Sequence, residues 1–320
     1  MTKNQFRTDT ERYLDFIKDN FEGTTYDEKC RKMRQYADIF YELYTQGKIS
    51  TCNPKNLKKE DIYAYQLFRR RTVMDTTILK DFSMISDLLA FVGNTAMMEY
   101  KAVYGKKKPK SYSGRKDPLP DAVIDKVYDL ARMTDNWTIL EGCVAIVLGC
   151  AAGLRPQEIK QLYAHDVHHL EAEPYVYIEH VKGEGSWGRK RKAPLNDGVS
   201  DIIEKYLQMR ERKLEDAGMM SEAMFPSFRT NREFVTQQSM SRFKGKVQKA
   251  LNVKPFELKD ARRSYGQRML DRGVPIANVS YCMGHDSIET TQKFYANYRE
   301  KQMLKGVYST PGIQENMRGS

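Results

Sequence analysis

Apolar positions recur at intervals of three and four through most of this chain, and that spacing predicts a mainly helical protein. Met33, Ala37, Phe40, Leu43 and Tyr44 form one such stripe over residues 25–48, and Gly47 would stop that helix. A second helix from about residue 59 carries Ile62, Tyr65, Leu67 and Phe68; a third carries Ile78, Phe82, Ile85, Leu88, Leu89 and Val92. Residues 1 to about 104 are therefore expected to be all-helical. Another helix starts within residues 118–135, and residues 137–150 are apolar on every side, as only a buried helix can be. Gly149 and Gly153 then bracket a tight turn in which Pro156 suits the first turn of a new helix, so Arg155 sits at a helix start. The pattern changes at Tyr175 to Val181, which is β-branched and aromatic. Gly183, Gly185 and Gly188 follow, and a second extended stretch runs through Pro194 and Leu195: a β-hairpin with a basic, glycine-rich tip. Helices return over residues 199–217, 237–251, 258–272, 275–283 and 287–298. The expected class is mainly α with a small antiparallel β-sheet.

Length and charge sharpen this picture. The 320 residues suffice for two domains, each with its own core. Lys101 to Lys116 contains seven basic residues and no acidic one, mixed with Gly105, Pro109, Ser111, Ser113 and Gly114, a composition that suits a linker at residues 105–117. The formal charge of +11 attracts polyanions. No stretch of about 18 apolar residues offers a membrane anchor, and the first residues lack the apolar block of a secretory leader. A soluble, intracellular protein with a nucleic-acid partner is thus expected, with no membrane partner. Cys30, Cys52, Cys143, Cys150 and Cys282 are an odd number with no C-x-x-C pair, so reduced, mostly buried thiols are expected. His165, His168, His169 and His180 lack ligand-spaced partners and read as surface and strand positions.

Four segments, far apart but in order, carry a resemblance. Ala152-Gly153-Leu154-Arg155-Pro156-Gln157-Glu158-Ile159 resembles the first arginine box of the tyrosine recombinases, the phage integrase family. Lys182, before a glycine turn and the strand Arg189 to Leu195, resembles that family's hairpin lysine. Lys259-Asp260-Ala261-Arg262-Arg263-Ser264-Tyr265 resembles its second arginine box, with Lys259 and Arg263 standing where histidines are common. Met283-Gly284-His285 through Thr290-Thr291-Gln292-Lys293-Phe294-Tyr295 resembles its closing segment. Each segment alone is weak; their order and separations make the match specific.

The resemblance implies a fold, a site and a reaction. The fold is a two-domain clamp: a helical core-binding, SAM-like domain (residues 1–104), a basic linker (105–117), an α+β catalytic domain (118–310) and a flexible tail (311–320). The reaction cleaves and rejoins DNA strands through a 3′-phosphotyrosine, in integration or excision of a mobile element or in dimer resolution, with no cofactor, metal or ATP. Tyr295, ten residues past His285, is the implied nucleophile, with Tyr298 the competitor. Its oxygen, of pKa about 10 when unperturbed, needs nearby cations. A pentavalent phosphate gathers negative charge on its equatorial oxygens, and guanidiniums grip two oxygens at once, so Arg155 and Arg262 suit the oxyanion clamp, with Glu158 orienting. His285 would donate to the same phosphate. Lys182 would protonate the departing 5′ oxygen, Lys190 and Lys192 being alternatives. Lys259 would stabilise phosphate or act as base, a role its ordinary pKa of about 10.4 disfavours. Lys106, Lys107, Lys108, Lys110, Arg115, Arg189, Arg191 and Arg263 are candidate DNA contacts, and further candidates are Lys58, Lys59, Arg69, Arg70, Arg71, Arg229, Arg232, Arg242, Lys244 and Lys246. The partners implied are double-stranded DNA bearing a recombination site and three further copies of the chain on it, from a monomer in free solution. The rival readings are a type IB topoisomerase and a non-catalytic DNA-binding relative.

Overall fold

The computed structural model describes residues 4–21, 23–110, 117–181, 188–230, 232–285 and 287–294, and every structural statement concerns these. The chain divides into two compact units, Met1–Gly114 and Arg115–Ser320.

The first unit is helical: α1 (Gln5–Phe16), α2 (Gly23–Thr45), α3 (Lys59–Arg69), α4 (Asp75–Phe91) and α5 (Ala96–Val103). The apolar stripes of α2, α3 and α4 close on a core in which Phe6 stacks on Phe40 at 4.4 Å and Phe40 on Tyr65 at 4.8 Å. Its polar centre is Asp81, buried on α4, which accepts from Tyr36 Oη (2.8 Å), Tyr65 Oη (3.1 Å) and Arg69 Nε (2.9 Å). Arg69 is therefore no surface contact for DNA, because its guanidinium is buried against a carboxylate. Arg70 pairs with Asp75 at 2.9 Å, while Arg71 is exposed. Neither α1 nor α5 was individually marked by the apolar spacing. α1 buries only Phe6, Tyr13 and Leu14 among its apolar residues, and α5 is eight residues long.

The start of the basic segment after α5 is fastened to the first unit. The Lys107 carbonyl accepts from Gln66 Nε2 (2.8 Å) and Arg70 Nη2 (3.3 Å), the Lys110 N–H donates to Asp75 (3.0 Å), and Tyr104 stacks on Tyr63 at 4.5 Å. Backbone groups fasten residues 104–110 to the first unit, while the side chains of Lys106, Lys107, Lys108 and Lys110 face solvent. Arg115 lies outside the described residues.

The second unit is built around α7 (Trp137–Ala152), buried along its whole length from Leu140. Asn136 caps its start through a hydrogen bond to the Ile139 N–H, and Gly153 ends it in the left-handed conformation. Around it pack α6 (Asp121–Met133), α9 (Ser200–Asp216), α10 (Gln237–Leu251) and α11 (Leu258–Asp271). The short α8 (Pro156–Lys160) follows α7 directly, and α12 (Ile276–Met283) and α13 (Ile288–Phe294) follow α11. The sheet has three antiparallel strands rather than a hairpin's two: β1 (Val167–His168), β2 (Tyr175–Ile178) and β3 (Arg191–Pro194), in that order, with Val176 opposite Ala193 and Ile178 opposite Arg191. β1, of two residues, is too short to show a period. On β3 the alternation buries Arg191 and Ala193 and exposes Lys192 and Pro194. His169 is buried rather than at the surface, its Nε2 2.6 Å from Glu204. Cys30, Cys52, Cys143 and Cys150 are buried free thiols and Cys282 is half-buried. No helix among the described residues is long and apolar enough to cross a membrane.

Removing one partner of a buried ion pair strands the other charge, at a cost of about 3–5 kcal/mol. Asp81→Ala should therefore lower the first unit's unfolding free energy by about that amount in urea titrations of the full chain, and a loss under about 1 kcal/mol would contradict the hub role of Asp81.

Candidate active site

The site grows from the end of α7. Gly153 turns the chain at a φ of +68°, where a Cβ would stand 2.5 Å from the Tyr265 ring, and Pro156 opens α8. Arg155, in extended conformation between them, is the N-cap of α8, and its N–H donates to Glu158 Oε2 at 2.7 Å. Its side chain bends back the same way: Nη1 donates to Glu158 Oε1 at 2.7 Å, and Nη2 donates to the Gly284 carbonyl.

Glu158 is the centre of the cluster. Its side chain is wholly buried, and Arg191 meets it in a fork, Nη1 to Oε1 at 3.0 Å and Nη2 to Oε2 at 2.9 Å. Arg262, from α11, stands 3.8 Å from Oε2 and donates Nη1 to the Gly153 carbonyl (2.7 Å) and Nη2 to the Met283 carbonyl (2.5 Å). Burial alone would push the Glu158 carboxyl up. The hydrogen bonds from Arg191, then the charges of Arg191, Arg262 and Arg155, outweigh burial and hold it at about 2. Three guanidiniums around one carboxylate leave the cluster doubly positive. Arg155 is its most open member, with 18% of its side chain exposed against 9% for Arg262 and 3% for Arg191.

His285 follows Gly284 at the end of α12, its N–H held by the Ser280 carbonyl at 3.0 Å. Nδ1 lies 2.7 Å from the Thr291 hydroxyl on α13. Burial, then the charges of Arg262, Arg155 and Arg191, push the imidazole down to about 3, against a smaller upward pull from Glu158. The ring is thus neutral at pH 7. In the tautomer in which the Thr291 hydroxyl donates to Nδ1, the ring proton sits on Nε2, where it can be donated.

The other candidates are placed as follows. Lys259 is exposed on the first turn of α11, one turn before Arg262. Arg263 is half-buried and ion-paired to Asp260. Arg189 is exposed; Lys190 pairs with Glu179 at 3.0 Å, and Lys192 lies 4.2 Å from the Tyr175 ring. Lys244 is buried and paired with Glu257 at 2.8 Å, so it is not an open phosphate contact. Arg191 is likewise corrected: a guanidinium that is 3% exposed and spent on Glu158 and the Cys282 carbonyl (2.9 Å) does not reach a DNA surface. Lys182, Tyr295 and Tyr298 lie outside the described residues. Sequence reasoning left Gly284 and Thr291 without these partners. The signal for Arg191 was present, since it shares its strand parity with the buried Ala193 and Leu195.

Gly284 has a φ of +63°, and a Cβ there would stand 2.6 Å from the Arg191 guanidinium carbon. Gly284→Ala should lower stability by about 1–3 kcal/mol in chemical unfolding; an unchanged midpoint would show that Arg191 gives way freely. The pH dependence has a definite sign. Between about 3 and 6.5 the unfolded His285 binds a proton that the folded one does not, so stability rises with pH in that window and falls on acidification. In thermal unfolding across that window, His285→Gln should show a shallower acid-side loss than the parent, and equal slopes would refute a neutral buried imidazole.

Comparison with known proteins accords with this geometry. The model of the phage integrase family matches residues 125–302. A tyrosine recombinase XerD of Listeria monocytogenes is 22% identical over 290 residues, covering 88% of this chain and 89% of that protein. A tyrosine recombinase XerC of Rickettsia prowazekii is 25% identical over 244 residues, 73% of each. Among solved structures, the Tn1549 transposon integrase in complex with transposon right end DNA is similar with a TM-score of 0.66 and 17% identity, over 93% of this chain and 99% of that one. A lambda integrase dimer bound to a core site gives 0.62 and 17%, over 90% and 76%. The family match spans more than half of the residues and takes in both arginine boxes and the His285 turn, so the chain belongs to the phage integrase family, the tyrosine recombinases that exchange DNA strands at specific sites.

Proposed function

We propose that this protein breaks and rejoins double-stranded DNA at a specific site through a 3′-phosphotyrosine on Tyr295, moving or excising a mobile element or resolving a dimer. The observation that carries the reading is the gathering of Arg155 and Arg262 on the buried Glu158 carboxylate, with the neutral His285 held beside them because the two arginines donate to the Gly284 and Met283 carbonyls. A doubly positive cluster with a neutral imidazole donor suits a phosphate that gains charge on the way to its pentavalent state. Arg155 and Arg262 hold the equatorial oxygens, and His285 Nε2–H donates to one of them. The Tyr295 oxygen attacks phosphorus and displaces the 5′ oxygen, which Lys182 protonates. The exposed Lys259 ammonium adds phosphate stabilisation. The ester conserves the energy of the broken bond, so rejoining runs the same steps backwards.

The first unit, residues 1–104 with the basic strap that follows, is the second half of a DNA clamp. Exposed Lys106, Lys107, Lys108 and Lys110, with Arg115, neutralise phosphates there, and Arg189 and Arg263 do so on the catalytic unit. Exchange between two duplexes needs four active sites, so four copies assemble on DNA from free monomers in the nucleoid.

The test uses a nicked suicide duplex from the gene's own flanking DNA. A covalent adduct should form on a denaturing gel, vanish with Tyr295→Phe and persist with Tyr298→Phe; the reverse pattern would move the nucleophile to Tyr298. Arg155→Lys should slow adduct formation by about 10²–10³-fold, the usual effect of removing one oxyanion donor. Relaxation of supercoiled DNA of arbitrary sequence would instead favour a topoisomerase.

A further inference from the structure

We infer that Arg191 is a positioning residue for strand cleavage: it holds Glu158, and through it the Arg155 guanidinium and the turn that delivers His285, without touching DNA. The inference rests on the recombinase reading for the reaction it serves, and on geometry for the role.

Arg191 is fastened at three points. Its two terminal nitrogens take both oxygens of Glu158, and its Nε takes the Cys282 carbonyl in the last turn of α12. The guanidinium also fills the space where any side chain at position 284 would begin. One side chain thus ties together β3, the start of α8 and the end of α12. Those segments lead in sequence to the hairpin lysine, to Arg155 and to His285. Only an arginine can do this, because a planar fork matches a carboxylate at two points and keeps a third donor pointing away.

The electrostatics ask for it as well. Glu158 is wholly buried, and a buried carboxylate is costly unless paired. Without Arg191, its remaining partners are the Arg155 guanidinium, the Arg155 N–H and Arg262 at 3.8 Å. Arg262 would be drawn off the Gly153 and Met283 carbonyls toward Glu158, or the carboxyl would take up a proton; either change re-aims a cation meant for phosphate. Arg191 supplies both oxygens of the carboxylate with a donor, so Glu158 does not depend on Arg155 alone, and Arg155 remains the most exposed of the three.

A surface phosphate contact behaves differently, and the experiment separates the two. Single-turnover cleavage of the suicide duplex at saturating protein, and duplex affinity as a function of salt, are measured for the parent, Arg191→Lys, Arg191→Met, Glu158→Gln and the double variant Arg191→Met with Glu158→Gln. Cleavage should fall at least about 10-fold with Arg191→Met, and Arg191→Lys should restore it only partly, since an ammonium lacks the fork that takes both oxygens of Glu158 together with the Cys282 carbonyl. Affinity and its salt slope should stay as in the parent. The double variant should cleave no more slowly than the slower single one, because both act on one carboxylate. Parental cleavage by Arg191→Met, additive losses, or a salt slope reduced by about 1 would each overturn the inference, the last by revealing a phosphate contact. If Arg191→Met does not fold, the double variant, free of the stranded charge, carries the comparison, and a parental rate in it overturns the proposal. Should the parent form no adduct on any duplex, the recombinase reading fails. The Arg191 contact is then decided by acid unfolding: losing Arg191 raises the Glu158 carboxyl, so the gain in stability between about pH 2 and 4.5 should shrink in Arg191→Met, and an unchanged gain would overturn it.

Discussion

The buried carboxylate of Glu158 is the contact on which the rest of the site depends. Guanidiniums repel one another, and three of them gather here only because one carboxylate lies among them, bonded to Arg155 and Arg191 and 3.8 Å from Arg262. Its charge is secured by the same arginines, which outweigh the burial that would otherwise protonate it. The arrangement is mutual: the carboxylate stays ionised because the cations are near, and the cations stay packed because it is ionised.

That cluster needs a rigid base, and α7 provides it. A helix buried from Leu140 to Ala152 cannot slide or rotate without opening the core, so the left-handed turn at Gly153 and the Arg155 cap occur at a defined place. The second arginine arrives on α11, packed against the same helix, and Arg262 closes the loop by donating to the Gly153 carbonyl. The last segment joins through backbone: carbonyls of Met283 and Gly284 accept from Arg262 and Arg155, so His285 is delivered by a turn that the arginines themselves hold. Neutral His285 follows, because a buried ring crowded by three guanidiniums does not take up a second proton. The site is therefore a net positive cradle with one uncharged donor, suited to an anion that becomes more negative as it reacts.

Much of this was legible residue by residue. The buried helix over 137–150 followed from apolar residues on every face, and Arg155 from the turn chemistry of Gly153 and Pro156. The hairpin followed from β-branched runs around glycines. α1, α5 and β1 were not, because α1 buries only three apolar residues and α5, of eight residues, and β1, of two, are too short to reveal a period. Residues 105–117 read as a linker from composition, and the Lys107 carbonyl and Lys110 N–H within it find partners on α3 and α4, which no composition records.

The clearest division concerns the arginines. The sequence by itself determined which cations exist, their order along the chain and the family they mark, since motif spacing is a local property. It did not determine their jobs. Arg191 and Arg189 stand two apart on one hairpin and read alike as DNA contacts, but one is exposed and the other is buried on Glu158. Arg69 and Lys244 turn inward in the same way, to Asp81 and Glu257. Charge is written in the residue, whereas burial and the choice of counter-ion depend on how the elements pack: the carboxylates that take Arg69, Lys244 and Arg191 lie 12, 13 and 33 residues away in the chain. Only the folded chain decides whether a guanidinium meets a phosphate or a carboxylate.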